Sequence, residues 1–301
     1  MRNGTADANH ITLAYEDHGD PTAPPILLVM GLGGQLTLWP IELVDALVAR
    51  GFRVIRYDNR DIGLSTKFDA AGVPNVKWLL VKSLLGLPVR TPYRLAEMAK
   101  DGIGLLDALD IGRAHIVGAS MGGMISQHIA ATFPDRTLSL TSIMSTTGNR
   151  RLPRAKKEAM QVLLTRPDTD DEEARIAHGI RIARTIGSPA YPAAEDRLQR
   201  RVRSDYARSY HPPGFIRQTA AIVADGDRRV MLKQITAPTL VIHGDADPLV
   251  PVAGAHDTAA SIAGAKLHII PGMGHDLPVD LVEEMADQIA NHARAATQVA
   301  A

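Results

Sequence analysis

Short apolar runs alternate with longer helical patterns through the first half of the chain, and the alternation returns near its end. Four runs in which apolar residues do not alternate with polar ones predict buried strands: Ile26–Met30, Arg53–Tyr57, His115–Gly118 and Leu138–Met144. Three further strands are predicted over Ile11–Glu16, Thr239–His243 and Lys266–Ile270. Helices are predicted over Leu38–Arg50, Leu95–Leu109 and Gly122–Phe133. This alternation predicts an α/β fold with a mostly parallel central sheet flanked by helices.

The stretch from residue 149 to residue 232 interrupts the rhythm. It contains no convincing strand pattern, and its helical pieces are broken by prolines at positions 153, 167, 189, 192, 212 and 213. We therefore predict one α/β core formed by residues 1–148 and 233–301, with residues 149–232 inserted as a helical cap, or lid, over the strand ends. The segment Thr66–Pro92 also falls outside the pattern, and its sequence fits either a second flap beside the cap or a packed surface loop.

Composition and charge narrow the class of protein. The 301 residues are 45% hydrophobic and 22% charged, which is typical of a globular protein. The 33 basic residues are balanced by 33 acidic ones, so no nucleic-acid partner is expected. The absence of cysteine excludes disulfides, thiolate metal ligands and a cysteine nucleophile. Because the chain shows neither a signal-peptide pattern nor an apolar run long enough to span a bilayer, we expect a cytoplasmic location and no membrane partner. The oligomeric state stays open.

A Gly-x-Ser-x-Gly pattern follows one predicted strand and opens the next predicted helix. A sharp turn from strand to helix places Ser120 in a strained conformation and exposes its hydroxyl at the C-terminal edge of the sheet. Gly118 and Gly122 supply the small residues that such a turn requires two positions to either side. The pattern alone also occurs in flexible turns, but its position between a strand and a helix favours a nucleophile.

A serine hydroxyl needs a base within hydrogen-bond reach, and His275 is the best placed of the 11 histidines. It lies in a glycine-rich loop after the last predicted strand, and it follows the serine and the acid in the chain order that accompanies such a nucleophile. Asp247, in the loop after the preceding strand, is the predicted acid that orients the imidazole. Asp245 is its rival, but Asp247 lies deeper in the loop and directly before Pro248.

The other histidines have structural explanations. His115 begins a strand and His128 lies within a helix, so both are expected to pack in the core. His243 closes a strand and is expected to brace the acid loop. The remaining histidines have no motif around them.

A glycine-rich loop after the strand Ile26–Met30 supplies further candidate groups. Gly31 and Gly33 let the backbone approach the reacting centre, and we expect the Leu32 N–H to join the Met121 N–H in stabilising an oxyanion. The loop sequence GLGGQL does not match the G-x-G-x-x-G pattern of dinucleotide sites, and the sequence contains no Walker motif or metal-ligand cluster. No cofactor or metal is therefore expected.

Five segments occur together and in order: VMGLGGQLTLWP, RYDNRDIGLS, VGASMGGM, PTLVIHGDADPLVP and IPGMGHDLP. This combination resembles the α/β-hydrolase superfamily, and within it the bacterial serine esterases close to the aclacinomycin methylesterase group. The resemblance covers residues 20–148 and 235–295. It implies a triad of Ser120, Asp247 and His275 with backbone donors at Leu32 and Met121.

Two positions depart from many members of that family. Met30 stands where they carry His, and Asp61 stands where they carry Gly. Because the expected donor in the first loop is a backbone N–H, the Met30 difference changes the support of the loop and not its chemistry. The segment Asp58–Ser65 is chiefly structural in the family.

The residues together predict a serine carboxylesterase. We expect it to cleave small-molecule carboxylic esters with small to medium acyl or alcohol groups through an acyl-enzyme. Dehalogenases and epoxide hydrolases of this fold use Asp at the position of Ser120, so they match poorly. A lactonase or C–C bond hydrolase with the same triad is the alternative enzyme. A non-catalytic small-molecule receptor on a hydrolase fold is the alternative of another class.

Overall fold

Eight strands form one sheet in the computed structural model, which describes residues 1–87, 89–165, 167, 169 and 171–300. The strands are β1 (Arg2–Ala8), β2 (Ile11–His18), β3 (Pro25–Val29), β4 (Arg53–Tyr57), β5 (Ala114–Ala119), β6 (Thr137–Ile143), β7 (Thr239–Gly244) and β8 (Lys266–Ile270). Their order in the sheet is β1-β2-β4-β3-β5-β6-β7-β8. Neighbours from β4 through to β8 pair in parallel, whereas β1 pairs with β2 and β2 with β4 in antiparallel fashion. The prediction of a mostly parallel sheet is confirmed.

The strand β1 is the element that the sequence pattern did not predict. Its residues lie at the edge of the sheet and are mostly exposed, so they carry no apolar run. The strand is defined by its antiparallel pairing with β2, in a register that sets Arg2 opposite Asp17 and Ala8 opposite Ile11. An exposed edge strand of this kind is recognised from its partner and not from its own composition.

Helices cover both faces of the sheet. They are α1 (Ile41–Ala49), α2 (Val76–Leu84), α3 (Leu95–Ala108), α4 (Met121–Thr132), α5 (Lys157–Leu164), α6 (Glu172–Ile186), α7 (Glu195–Arg208), α8 (Pro212–Asp225), α9 (Arg229–Leu232), α10 (Ala253–Ser261) and α11 (Val282–Ala300). The helix α1 begins later than predicted, because the chain first makes a 3-10 turn at Leu36–Leu38 and then enters the helix after Pro40. None of the helices in the described ranges is long and apolar enough to cross a membrane.

The central strands bury side chains on both of their faces. In β3, Ile26 and Leu28 lie in the apolar layer covered by α1 and α11, and Leu27 and Val29 lie in the layer covered by α3 and α4. All four side chains are fully buried. This two-sided burial is the reason for the uninterrupted apolar runs in the sequence. The parallel arrangement also brings the loops after β3, β5, β7 and β8 to the same edge of the sheet.

Residues 149–232, which we call the helical insertion, lie between β6 and β7 and contain α5 to α9. The described residues of this segment form helices, turns and loops without a strand. The helix α8 packs against α2 and α3. The helical insertion is therefore seated on the core through α8.

A buried ion pair ties the helical insertion to the core. Arg217 of α8 donates from Nε and Nη2 to the two carboxylate oxygens of Asp61, at 2.8 and 2.7 Å, and neither side chain is exposed. Tyr93 and the Phe68 N–H donate to the same carboxylate at 2.7 and 2.8 Å. Burial alone would raise the pKa of Asp61, but these hydrogen bonds and the Arg217 charge hold that pKa below its ordinary value. The pair therefore stays charged inside the protein.

The backbone at Asp61 accounts for one departure from the resembling family. Its φ is 73°, in the left-handed region that glycine adopts most easily. A glycine at this position would relax the backbone but would leave Arg217 without its main partner. The side chain of Asp61 thus offsets a local conformational cost by anchoring α8.

The segment Thr66–Pro92 is organised around α2, and its residue 88 lies outside the described residues. The helix α2 packs against α8, with Leu79 buried and Trp78 54% exposed. Arg150 of the helical insertion donates to the Ser83 carbonyl at 2.7 Å. The segment therefore lies against the helical insertion, and both alternatives for it, a second flap and a packed surface loop, stay open.

Replacing Arg217 with Met should lower the free energy of unfolding by about 3–5 kcal/mol, because the Asp61 carboxylate would remain buried without its counter-charge. Urea unfolding followed by circular dichroism measures this change. The matched control is Arg200→Met, since Arg200 forms an exposed ion pair with Asp196. That substitution should leave the stability close to that of the wild type. Equal losses in the two variants would contradict the anchoring role of Arg217.

His115 at the start of β5 is a buried packing residue. Its ring is 1% exposed, contacts the Phe52 ring edge-on, and places Nδ1 2.8 Å from Ser139 Oγ. Burial, with a smaller contribution from the charge of His292, lowers the pKa of His115 to about 4. The ring is therefore neutral at pH 7.

Acidification should destabilise the protein through His115. The unfolded chain takes up the proton at the ordinary pKa of 6.5, and the folded chain only near 4, so stability falls as the pH drops through this window. The full effect is about 3 kcal/mol. When the pH is lowered from about 7 to about 4, the free energy of unfolding of His115→Asn should fall less than that of the wild type. Urea unfolding at both pH values measures this difference. A stability difference between the two proteins that does not change with pH would refute this.

Candidate active site

Ser120 lies at the sharp turn between β5 and α4. Its φ and ψ are 56° and −120°, a strained conformation for a residue with a side chain. The turn is held by three hydrogen bonds: the Ser120 N–H donates to the Ile143 carbonyl at 2.9 Å, and the Ser120 carbonyl accepts from Ser145 Oγ at 2.8 Å and from the Met124 N–H at 3.2 Å. The predicted strained turn is therefore present, and it leaves the Ser120 side chain partly exposed at the strand ends.

The two glycines of the pattern are required for different reasons. A Cβ on Gly118 would lie 2.2 Å from the Gly122 carbonyl oxygen, which is the collision within the turn that the sequence predicts. A Cβ on Gly122 would instead lie 1.9 Å from the Val29 carbonyl oxygen at the end of β3. Gly123, which has no place in the Gly-x-Ser-x-Gly pattern, is constrained in a similar way, because a Cβ on it would lie 2.6 Å from the Ser145 Cβ. Gly122 therefore permits the close approach of α4 to the neighbouring strand, and not only the turn.

The structure brings Ser120, His275 and Asp247 together. Ser120 lies 155 residues from His275 in the sequence, and Asp247 lies 28 residues from it. His275 Nε2 lies 2.9 Å from Ser120 Oγ, and His275 Nδ1 lies 2.7 Å from Asp247 Oδ2. Because ionised Asp247 can only accept, Nδ1 carries a proton and Nε2 of the neutral ring is free to accept one from the serine. The three side chains form a continuous hydrogen-bonded chain.

Asp247 is buried but ionised. Burial alone would raise the pKa of its carboxyl, and the opposing effects are the charge that His275 carries when it is protonated and hydrogen bonds from His243, His275 and the Val250 N–H. These together hold the pKa of Asp247 well below its usual range. Its second oxygen accepts the N–H groups of Leu249 and Val250, each at 2.8 Å, which fixes the carboxylate in its loop.

Asp245 and His243 occupy supporting positions in the same loop. Asp245 accepts the Gly272 N–H at 2.7 Å, so it links the acid loop to the histidine loop without touching His275 in the described contacts. His243 donates from Nε2 to the Val250 carbonyl at 2.8 Å and lies 3.4 Å from Asp247. The geometry therefore favours Asp247 over its rival, and it agrees with the expectation that His243 braces the acid loop.

The glycine-rich loop after β3 passes over the nucleophile. A Cβ on Gly31 would lie 3.0 Å from the Ser120 Cβ, so only glycine permits this approach without displacement. The Met30 carbonyl accepts from Asn59 Nδ2 at 2.8 Å, which is the support that this chain has at the Met30 position. In the described part of the chain the N–H groups of Leu32 and Met121 donate no hydrogen bond. Both N–H groups therefore lack a protein acceptor in the described contacts.

Residues of the helical insertion accept hydrogen bonds from backbone N–H groups of two loops of the site. The Ile186 carbonyl accepts the His275 N–H at 2.7 Å, and Ser188 Oγ accepts the Gly274 N–H at 2.8 Å. Gln218 of α8 accepts the Gly33 N–H at 2.9 Å. These residues could not be predicted from the sequence, because the helical insertion contains no motif. A side chain that forms a hydrogen bond to a loop far away in the sequence leaves no local pattern.

A cavity of about 370 Å³ lies between α2, α4, α8 and the acid loop, and its lining does not include Ser120, His275 or Asp247. Its apolar wall includes Met124 of α4, Ile222 and Val223 of α8, Leu249 of the acid loop and Leu80 of α2. Across the described residues no group of three His, Asp or Glu side chains is placed to hold a metal ion. The site thus combines a serine hydrogen-bonded to a histidine and an aspartate with two backbone N–H groups that have no described acceptor, and a partly apolar cavity lies between the core, α2 and the helical insertion.

Comparisons with known proteins agree with this geometry. A family model described as the α/β hydrolase fold matches residues 24–280. The chain is 31% identical to rhodomycin D methylesterase DauP of Streptomyces sp. (strain C5), over 96% of this chain and 97% of that one. These findings confirm the resemblance to the α/β-hydrolase superfamily and its methylesterases.

Solved structures show the same architecture. The enol-lactonase from Burkholderia xenovorans LB400 has a TM-score of 0.73 at 24% identity, over 97% of this chain and 100% of that chain. The meta-cleavage product hydrolase CumD from Pseudomonas fluorescens IP01 has a TM-score of 0.77 at 19% identity, over 97% and 98%. At these identities the structures show the fold alone. With the family match, they establish that this chain belongs to the α/β-hydrolase family.

Proposed function

We propose that the protein is a serine carboxylesterase. The observation that carries the proposal is the hydrogen-bonded chain from Ser120 through His275 to Asp247, set beside two free backbone N–H groups. The name of the 31% identical relative, a methylesterase, supports an ester as the substrate. The cavity between α4, α8 and the acid loop is of a size for small to medium acyl or alcohol groups, and in this proposal it receives one of them.

The proposed reaction has two halves. Ser120 Oγ attacks the ester carbonyl while His275 Nε2 takes its proton, and the Leu32 and Met121 N–H groups stabilise the tetrahedral oxyanion. The imidazolium, stabilised by Asp247, then gives its proton to the leaving alcohol. Water enters, gives its proton to His275 and attacks the acyl-enzyme, which releases the carboxylic acid and restores Ser120.

The supporting assignments follow from the same contacts. Gly118 permits the turn at the nucleophile, Gly122 permits the approach of α4 to β3, and Gly31 permits the approach of the donor loop to Ser120. Gly33 adopts a positive φ and lies against the Phe215 ring. We further propose that residues 149–232 form a cap domain on a core of residues 1–148 and 233–301. The expectations of a cytoplasmic location, of no nucleic-acid or membrane partner, and of no cofactor or metal stay predictions.

A lactonase or a C–C bond hydrolase would use the same groups, and a receptor would use them to bind. The neighbouring solved structures are too distant in sequence to favour either enzyme. Full hydrogen bonding of the triad together with free donors supports turnover over binding alone. Substrate panels that include lactones and C–C substrates separate these alternatives from open-chain ester hydrolysis.

Ser120→Ala should lower kcat for ester hydrolysis by at least about ten-thousandfold, because the nucleophile is lost. The measurement is hydrolysis of p-nitrophenyl esters from acetate to palmitate, with circular dichroism as the control for folding. We expect the wild type to turn over short chains and to lose activity as the acyl chain outgrows the cavity. Ester turnover retained by a clean Ser120→Ala preparation would refute the proposed nucleophile.

Asp247→Asn should lower kcat by about a thousandfold to ten-thousandfold, because the amide no longer holds the imidazole in its tautomer or stabilises the imidazolium. Asp245→Asn is the matched control: it removes a carboxylate two residues away and keeps an oxygen acceptor for the Gly272 N–H. It should change kcat by no more than about twofold. The steady-state kinetics of both variants on the same ester decide between the two acids. A larger loss at position 245 would reverse the assignment.

A further inference from the structure

Gln218 is a buried polar side chain of α8 whose amide oxygen and amide nitrogen each form a hydrogen bond to the core. Its side chain is not exposed to solvent. Oε1 accepts the Gly33 N–H at 2.9 Å, and Nε2 donates to the Arg60 carbonyl at 2.9 Å. One partner is a donor and the other an acceptor, so only one orientation of the amide satisfies both. Gln218 therefore joins the loop after β3 to the loop after β4.

The neighbouring residues of α8 fix Gln218 against these two loops. Arg217 forms the buried ion pair with Asp61. The Phe215 ring lies against Gly33, where a Cβ would come within 2.7 Å of it. The one turn of helix from residue 214 to residue 218 is thus seated on the core by an ion pair, a ring contact and an amide. Gln218 has little freedom to leave the Gly33 N–H.

We propose that Gln218 is a positioning residue for the oxyanion hole, an inference that rests on the proposed esterase function. Gly33 has a φ of 69°, in a region that glycine adopts easily. The peptide unit between Leu32 and Gly33 can therefore rotate unless a contact holds it. Gln218 holds this peptide through its N–H, and Asn59 holds the Met30 carbonyl on the other side. The Leu32 N–H lies between the two fixed points.

The contact also selects which amide faces the substrate. Leu32 and Gly33 supply adjacent N–H groups in a glycine-rich loop, and the Gly33 N–H is occupied by Gln218. Without an acceptor from α8, the half-buried Gly33 N–H would lack a partner and the peptide would turn to find one. The Leu32 N–H would then be displaced from the position of the developing oxyanion. This loss falls on the transition state and not on binding of the ground state, so kcat should fall while KM stays near the wild-type value.

Gln218→Met tests the contact with a side chain of similar length that lacks a strong acceptor. We expect kcat per active site to fall by about tenfold to a hundredfold, with kcat normalised by titration of Ser120 through the burst of p-nitrophenol. The affinity for phenylboronic acid, whose tetrahedral adduct on Ser120 mimics the intermediate, should fall by the same factor. Thr219→Val is the matched control, because Thr219 Oγ1 donates only within α8, to the Phe215 carbonyl at 2.8 Å. It should match the wild type in both readouts.

A second substitution separates positioning from a structural role. Gln218→Glu keeps an oxygen acceptor for the Gly33 N–H, and the protonated form of its carboxyl, which burial favours, also keeps a donor for the Arg60 carbonyl. This variant should therefore keep most of the kcat and boronate affinity that the Met variant loses. If the Met variant does not fold, Gln218→Asn, which is too short to reach Gly33, takes its place with the same expected losses.

Two outcomes overturn the proposal. One is wild-type kcat and boronate affinity in the Met or Asn variant. The other is an equal loss in the Glu and Met variants, which would show that the acceptor is not the cause. Failure of the esterase function itself looks different, because the wild type would then be inactive on the esters or Ser120→Ala would remain active.

Discussion

The close contact between the start of α4 and the end of β3 is the constraint on which the site depends. Gly122 meets the Val29 carbonyl at a distance that leaves no room for a side chain. This approach sets the loop after β3 beside Ser120, where a Cβ on Gly31 would lie 3.0 Å from the Ser120 Cβ. If the helix stood further away, the strained turn at Ser120 could still form, but the loop after β3 would lie further from it.

The elements nearest to this constraint were predictable from sequence, because their signals are local. Buried strands show as apolar runs, and the turn shows as two glycines spaced around a serine between a strand and a helix. His275 and Asp247 were found because each follows a recognisable strand. The parallel sheet then predicts that these residues lie close together, because the loops that follow parallel strands lie at one edge of the sheet.

What the sequence could not supply depends on partners far along the chain. The strand β1 is exposed and is defined by its pairing with β2. Gly122 is required by its contact with the end of β3 as well as by the turn from which it was predicted. Ser188 and Gln218 act on loops of the core from a segment without any motif. Side chains of this kind carry no local pattern, because the group that they serve is chosen by the tertiary fold.

Two buried carboxylates of the molecule illustrate how the same chemistry serves different ends. Asp247 is held by backbone N–H groups and faces the imidazole of His275, so in the proposed reaction its charge stabilises the imidazolium that forms when His275 takes a proton. Asp61 faces a guanidinium that never gives up its proton, so its charge is permanently neutralised. The first arrangement suits a reaction and the second suits an anchor.

The anchor has a consequence for how this protein can diversify. Helical segments between two strands look like modules that recombination could exchange between relatives to change substrate range. In this chain such an exchange would carry Arg217 away and leave Asp61 behind, with an unneutralised charge on a backbone that glycine would suit better. Position 61 and α8 must therefore be inherited, or engineered, as a pair.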